Sequence, residues 1–265
     1  MPKQTLFSDP QLLPCANLSW CDSNPMAVDF DDVYGSTYDA VAEKNHVFLA
    51  PNKLAQRFLD LPANAHFSLL ELGFGGALNF LLTWQLWLQQ RQTQTTPARL
   101  VYTSIEAYPM TLADLQRWQQ WPQLRDLAKQ LQAQYPLPIK GFHQLHFGEV
   151  TLNLILAPVE EALPQVQGRV DAIYLDGFKP AQNPAMWQPA VMQMLASLSH
   201  RHTTLASYSA AKSARDPLTV AGFAVVTASG FDKKRHQLSG VLRDAPIAPA
   251  KNANRQPSKA TYTPP

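Results

Sequence analysis

The sequence predicts a doubly wound α/β fold, and three stretches carry that prediction. Ser68-Leu69-Leu70-Glu71-Leu72 is a short apolar run that meets a glycine turn (Gly73, Gly75, Gly76) and then a long apolar segment, Ala77 to Trp84. That order reads as buried strand, tight turn, helix. Leu100 to Glu106 repeats the apolar run with an acid at its end, and Val170 to Leu175 does so again, ending in Asp176. In open parallel sheets the carboxyl ends of the strands build the ligand site, so three acid-bearing strand ends predict where chemistry occurs.

Each element follows in order. Residues 1–28 read as an irregular leader. Phe30-Asp31-Asp32-Val33-Tyr34 carries paired carboxylates, which suit a metal or acid–base chemistry as well as a turn or helix cap. A helix is expected from Asn52 to about Leu61, then the central strand, then a helix to about Gln92 that is apolar around most of its circumference and so packs on a sheet. Leu112 to Tyr135 reads as a covering helix pair, and His143 to Leu156 as two strands around Gly148-Glu149. After the strand ending in Asp176, Asn183-Pro184 opens a helix to about His200. Thr203 to Tyr208 is the next strand, Ser209 to Ala221 a helix containing Pro217, and 224–242 a closing hairpin. The folded unit is placed at 29–243, with 244–265 a tail or linker rich in Pro, Ala, Asn and Lys.

The glycine loop admits two readings: a cofactor cradle, or a plain strand-to-helix turn. Glycines let the backbone turn and approach a ligand, and the helix start that follows offers unpaired N–H groups. A dinucleotide fingerprint needs a glycine where Leu78 stands, which disfavours a nicotinamide or flavin oxidoreductase. Glu106, ending the second strand, is placed to accept from ribose hydroxyls.

Composition sets the outer bounds. With 265 residues, 46% of them hydrophobic, the chain can bury a sizeable core. The net charge of +2 hides an asymmetry: residues 199–265 carry 10 Lys/Arg against 3 Asp/Glu, while 1–198 carry 12 against 17. A basic final third suits a polyanionic partner, or is a solvated face. Cys15 and Cys21 have no partner spacing that makes a metal site, so no metal is expected. No signal-peptide pattern opens the chain, and the most apolar window, Leu69 to Leu88, is interrupted by Glu71, glycines and Asn79. The expectation is a cytoplasmic protein with no membrane association.

With these residues in place, the chain resembles the methyltransferase domain of the MnmC/MnmD family of tRNA-modification proteins, from about Trp20 to Leu242. The carriers are Phe30-Asp-Asp-Val-Tyr34, Glu43 with Val47-Phe48-Leu49, Glu71-Leu-Gly-Phe-Gly75 with Leu78-Asn79-Phe80-Leu81, Asp176-Gly-Phe-Lys-Pro180 with Asn183-Pro184-Ala-Met186-Trp187, and Ala221-Gly222-Phe223 with Lys233-Lys234-Arg235. The resemblance implies a class I S-adenosylmethionine-dependent methyltransferase with a seven-stranded mixed sheet whose last strand is antiparallel. It implies methyl transfer to the aminomethyl nitrogen of 5-aminomethyl-2-thiouridine at the tRNA wobble position. An FAD-dependent oxidoreductase domain or protein would first expose that amine. On this basis Asp176 is the candidate catalytic carboxylate, its rival role being a cap on the Gly177 turn. Glu71, Gly73 and Gly75 would hold the methionine part of the cofactor, and Glu106 the ribose. Phe178, Pro180 and Met186 would wall the uridine pocket, with Trp187 either wall or core. Lys212, Arg215, Lys233, Lys234 and Arg235 would meet tRNA phosphates.

The chain departs from the family pattern on the ligand side. The loop usually runs Gly-Thr-Gly-Leu-Asn and here is Gly75-Gly76-Ala77-Leu78-Asn79. The third strand usually ends in Gly-Asp, and here Ala157-Pro158 stands there. Gln182 replaces a usual lysine, and His236 a usual glutamate. Two outcomes stay open: an active enzyme, or a degenerate domain with weak or lost cofactor binding that serves as a tRNA-binding module.

Overall fold

The computed structural model describes residues 10–94, 96–232 and 235–243. It opens on a small antiparallel meander, β1 (Leu18–Cys21), β2 (Asn24–Ala27) and β3 (Asp32–Val33). The region read as an irregular leader is therefore partly ordered sheet. Four-residue strands, with Trp20 opposite Pro25, carry too little alternation to show in sequence. Helix α1 (Ala40–Lys44) is capped by the Asp39 carboxylate on Ala42 N and runs straight into a π-helical turn, Asn45–Leu49. Helix α2 (Leu54–Leu59) follows.

The main sheet is built from β4 (His66–Leu72), β5 (Arg99–Glu106), β6 (Gly141–Phe147), β7 (Val150–Leu156), β8 (Val170–Leu175), β9 (Ser199–Ser207), β10 (Phe223–Ser229) and β11 (His236–Leu242). Its order is β10-β11-β9-β8-β4-β5-β7-β6. Strands β7, β5, β4, β8 and β9 are parallel, and β11 runs antiparallel between β9 and β10. The sheet has eight strands rather than seven. The extra one is β6, folded back on β7 across Gly148, whose φ of +66° suits the turn.

Helices cover both faces: α3 (Leu78–Arg91), α4 (Leu112–Trp118), α5 (Arg125–Gln134), α6 (Val159–Ala162), α7 (Pro189–Ser197) and α8 (Lys212–Val220). The period of two along β4 decides which face each residue serves. Phe67 and Leu69 join the layer containing Phe58, Phe80 and Trp87, while Leu70 and Leu72 join Val191, Leu195 and Leu218 on the other side. The helix expected from Asn183 to His200 is two pieces, a 3₁₀ turn Pro184–Trp187 and α7. Gln188, held extended (ψ 146°) ahead of Pro189, separates them. Helix α8 starts at Lys212 rather than Ser209 and absorbs Pro217. The tail 244–265 lies outside the described residues.

Candidate active site

A cavity of about 350 Å³ opens at the carboxyl ends of the parallel strands, where topology predicts it. Its floor is the loop between β4 and α3. Gly73 (φ +94°) lies so close to β8 that a Cβ there would sit 2.6 Å from the Asp176 carbonyl oxygen. Gly75 (φ +50°) passes under the Tyr34 ring, 2.9 Å from a would-be Cβ, and donates its N–H to Glu106 Oε2 at 2.8 Å. Glu106 also accepts from Tyr108 N. Burial raises its pKa, and backbone N–H groups, that of Gly75 foremost, oppose the rise. Its carboxylate thus braces the loop and faces the cavity.

The departure at Gly76-Ala77 has a structural cause. At Gly76 the backbone is not left-handed, yet a Cβ would fall inside the Trp118 indole, 2.5 Å from Nε1. Trp118, buried on the cavity wall, fills the space a threonine side chain would take. Gln119 secures the turn by donating to the Gly76 carbonyl oxygen. Ala77 adopts the left-handed conformation (φ +64°) at the start of α3, a place that glycine would occupy without strain.

Asp176 and Glu71 anchor a buried polar cluster. Asn79, on the first turn of α3, donates to Glu71 Oε1 at 2.9 Å and to Asp176 Oδ2 at 2.8 Å. Ser104 donates to Glu71 Oε2 at 2.7 Å. Glu71 is 1% exposed and stands behind the cavity wall, holding β4, β5 and α3 together, so its influence on a ligand passes through Asn79. Burial pushes the Glu71 carboxyl up to about 8, with the nearby Asp176 charge adding to the rise. Lys44, which sequence reading did not single out, reaches in from α1 to pair with Asp176 Oδ2 at 2.5 Å. The ammonium is held in its charged form: desolvation acts against it, and Asp176, then Glu43, outweigh that.

The remaining predicted residues divide. Phe178 and Met186 line the cavity; Pro180 does not. Phe178 stacks on Phe30 (4.4 Å between centroids) and meets Tyr34 edge-on. Trp187 is core, its indole N–H donating to the Phe178 carbonyl oxygen. The Asp31/Asp32 pair is split, Asp32 lining the cavity and Asp31 lying outside its wall. Asp31 ends a 3₁₀ turn, and Asp32 is tied to Lys179 through both its backbone N–H and its ammonium. No cluster of metal-ligating side chains occurs among the described residues. Lys212 and Arg215 are exposed on α8 and both lean on Asp216. Arg235 is exposed immediately before β11, and Lys233 and Lys234 lie outside the described residues. Because Leu238 pairs with Ser207, the start of β11 lies beside the end of β9, the strand that leads into α8. Asn79, Lys44, Tyr34, Trp118 and Tyr208 also line the cavity, and none was singled out as a site residue from sequence. Only Asn79 and Tyr34 lay within motifs visible in sequence.

The pocket suits S-adenosylmethionine. Glycines that a Cβ would block bring backbone to the cavity, a carboxylate ends β5, and Ile105, Ala107 and Val159 offer an apolar flank. Asn79 Oδ1, buried on the wall without a partner among the described residues, is an acceptor suited to an ammonium. At Ala157-Pro158, where the pattern has an acid, Pro158, Val159 and Glu160 line the cavity.

Comparison with known proteins agrees. Residues 122–243 match the family model described as S-adenosyl-L-methionine-dependent methyltransferase. The crystal structure of MNMC2 from Aquifex aeolicus superposes with a TM-score of 0.70 at 18% identity, covering 88% of this chain and 72% of that one, which establishes the shared fold. Fold and site define a class I S-adenosylmethionine-dependent methyltransferase domain. The tRNA 5-methylaminomethyl-2-thiouridine biosynthesis bifunctional protein MnmC of Chromobacterium violaceum is 42% identical over 236 residues, covering 88% of this chain and 35% of its own length. That of Hahella chejuensis is 40% identical over 243 residues, with 90% and 38% covered. The chain is similar to these MnmC proteins over most of its own length, and it spans little more than a third of theirs.

Proposed function

We propose that this domain methylates the aminomethyl nitrogen of 5-aminomethyl-2-thiouridine at the wobble position of tRNA, giving the 5-methylaminomethyl form. The observation that carries the reading is the Asp176 carboxylate on the wall of a methyltransferase cavity, in a chain about 40% identical to proteins named for that product. When bound, S-adenosylmethionine supplies a methyl group on a sulfonium. Glu106 would hold its ribose, and the Gly73–Gly75 backbone with Asn79 its methionine end. An alkyl ammonium has no lone pair, so the acceptor amine must shed a proton before it can attack; Asp176 is the group to take that proton or to steady the amine. Otherwise the protein contributes position and electrostatics. Tyr34, Phe178 and Tyr108, backed by Phe30, form an aromatic wall on which a nucleobase can stack, and Met186 closes the pocket behind Gly177. The exposed Lys212, Arg215 and Arg235, with Lys233 and Lys234, would steer phosphates, exchanging weak surface ion pairs for phosphate contacts. In the bifunctional relatives the amine would come from an FAD-dependent step elsewhere in the protein; here a partner domain or protein would supply it. None of the helices among the described residues is long and apolar enough to cross a membrane, and a cytoplasmic setting fits a tRNA substrate.

The test is a calorimetric titration with S-adenosylmethionine, followed by nucleoside mass spectrometry of aminomethyl-bearing tRNA. Micromolar binding and a 14-Da gain (about, one methylene) on the wobble nucleoside support the reading. Binding of tRNA without cofactor binding or methylation replaces it with the degenerate tRNA-binding module.

A further inference from the structure

The buried lysine at the edge of the cavity has no place in the reading above. Lys44 is separated from Asp176 by 132 positions and is 6% exposed, yet its ammonium lies on Asp176 Oδ2. Burying an ammonium is costly, and its neighbours Val47, Phe48 and Leu49 are apolar core. Its charge is the reason to look for a role in the site. Three features hold it there. The Phe48 ring lies 5.2 Å from the ammonium. The loop before α1 is pinned by Ser36 N donating to the Glu43 carboxylate at 2.6 Å. The backbone widens into a π-helical turn immediately after Lys44, a geometry found disproportionately at functional sites.

We infer that Lys44 is a positioning residue for Asp176, fixing the carboxylate in its reactive orientation. This rests on the proposed role of Asp176. Two donors, Lys44 Nζ and Asn79 Nδ2, converge on the same oxygen, Oδ2. A carboxylate on a short side chain can rotate; two convergent donors, one of them charged, hold its plane and direct it toward the cavity. Asn79 in turn is held by Glu71, so the orientation is set from both sides of the pocket, by α1 and by α3. The loop and strand end assigned to the cofactor, Gly75 and Glu106, share no hydrogen bond with Lys44 in this arrangement. Lys44 therefore acts on the methyl-acceptor side of the reaction.

The experiment uses the full chain and compares Lys44→Met, Lys44→Ala, Asp176→Asn and Asp176→Asn/Lys44→Met in methylation of aminomethyl-bearing tRNA. Lys44→Met is expected to lower kcat about 10²-fold, the scale of a misplaced reacting group. Its Kd for S-adenosylmethionine should stay within about two-fold of the parent, since Gly75 and Glu106 share no hydrogen bond with Lys44 and Asn79 stays held by Glu71. Ethylammonium added to Lys44→Ala should restore part of kcat. In the Asp176→Asn background the second substitution should have no further effect, because a residue acting through Asp176 has nothing left to act on. That uncharged pair also decides the matter if single Lys44 variants fail to fold. A folded Lys44→Met with the parent's kcat, or a double variant slower than Asp176→Asn by a further 10²-fold (about), overturns the inference. If the unsubstituted chain binds cofactor but methylates no aminomethyl tRNA, the proposed substrate fails first, and that result is read before any variant is compared.

Discussion

Gly76→Ala tests whether the Trp118 indole, rather than the backbone, forbids a side chain in the cofactor loop. Position 76 has no left-handed φ, so alanine can adopt its conformation; the nearest obstacle is the indole, into which the new Cβ would project. Forcing a methyl into a packed site costs about 1–3 kcal/mol. Trp118 is 6% exposed and wedged edge-on against Trp121, 5.0 Å between centroids, so it has little room to retreat. A loss near about 2 kcal/mol would lower Tm by about 4–8 °C in a domain of this size. Trp118→Ala by itself should cost about 3–5 kcal/mol as a core truncation. The decisive comparison is Gly76→Ala in that background. With the indole gone, the extra methyl loses its three nearest contacts and restricts the unfolded chain, so it should stabilise by about 0.4–1 kcal/mol. The sign should reverse between backgrounds, a coupling of about 1.5–4 kcal/mol measurable by denaturant titration of the four proteins. If Gly76→Ala destabilises equally with and without Trp118, the indole is not the cause and this account of the departure is wrong.

Other outcomes follow from the same geometry. Gly73→Ala places a Cβ against the Asp176 carbonyl oxygen at a φ of +94°, so strain and overlap should together cost about 2–6 kcal/mol and abolish cofactor binding; a thermal melt and a titration read both. Glu106→Ala removes the brace on Gly75 N as well as the ribose acceptor, and should weaken S-adenosylmethionine binding about 10–100-fold by calorimetry. Glu71, pushed from 4.5 to about 8, makes the folded state bind more protons than the unfolded state between those values. Stability should therefore fall as pH rises through that window, by a few kcal/mol (roughly), with the loss complete above about pH 8. Glu71→Gln should remove that dependence, so the parent's advantage over the variant shrinks from pH 5 to 9 (about) in denaturant titrations; a constant difference would refute the assignment.

Much of the site is written in local pattern. Apolar runs of five to eight residues, ended by Glu71, Glu106 and Asp176, mark three parallel strands, and glycine spacing marks the turn between β4 and α3. Strand direction and side-chain alternation are properties of a few consecutive residues, so they survive in one dimension. They put Gly73, Gly75, Glu106 and Asp176 around one cavity, and the family resemblance adds Phe178. The residues that finish the site depend on the path of the chain. Whether Glu71 faced a ligand or turned under α3 depended on which face of β4 carried it, and Asn79 and Ser104 claimed both its oxygens. Lys44 meets Asp176, Trp118 fills the space above Gly76, and Phe30 stacks on Phe178 across separations of 132, 42 and 148 positions. No periodicity links residues so far apart. Such contacts exist only once the sheet order brings α1, α4 and the N-terminal meander over the strand ends, and packing and charge then select which of them meet.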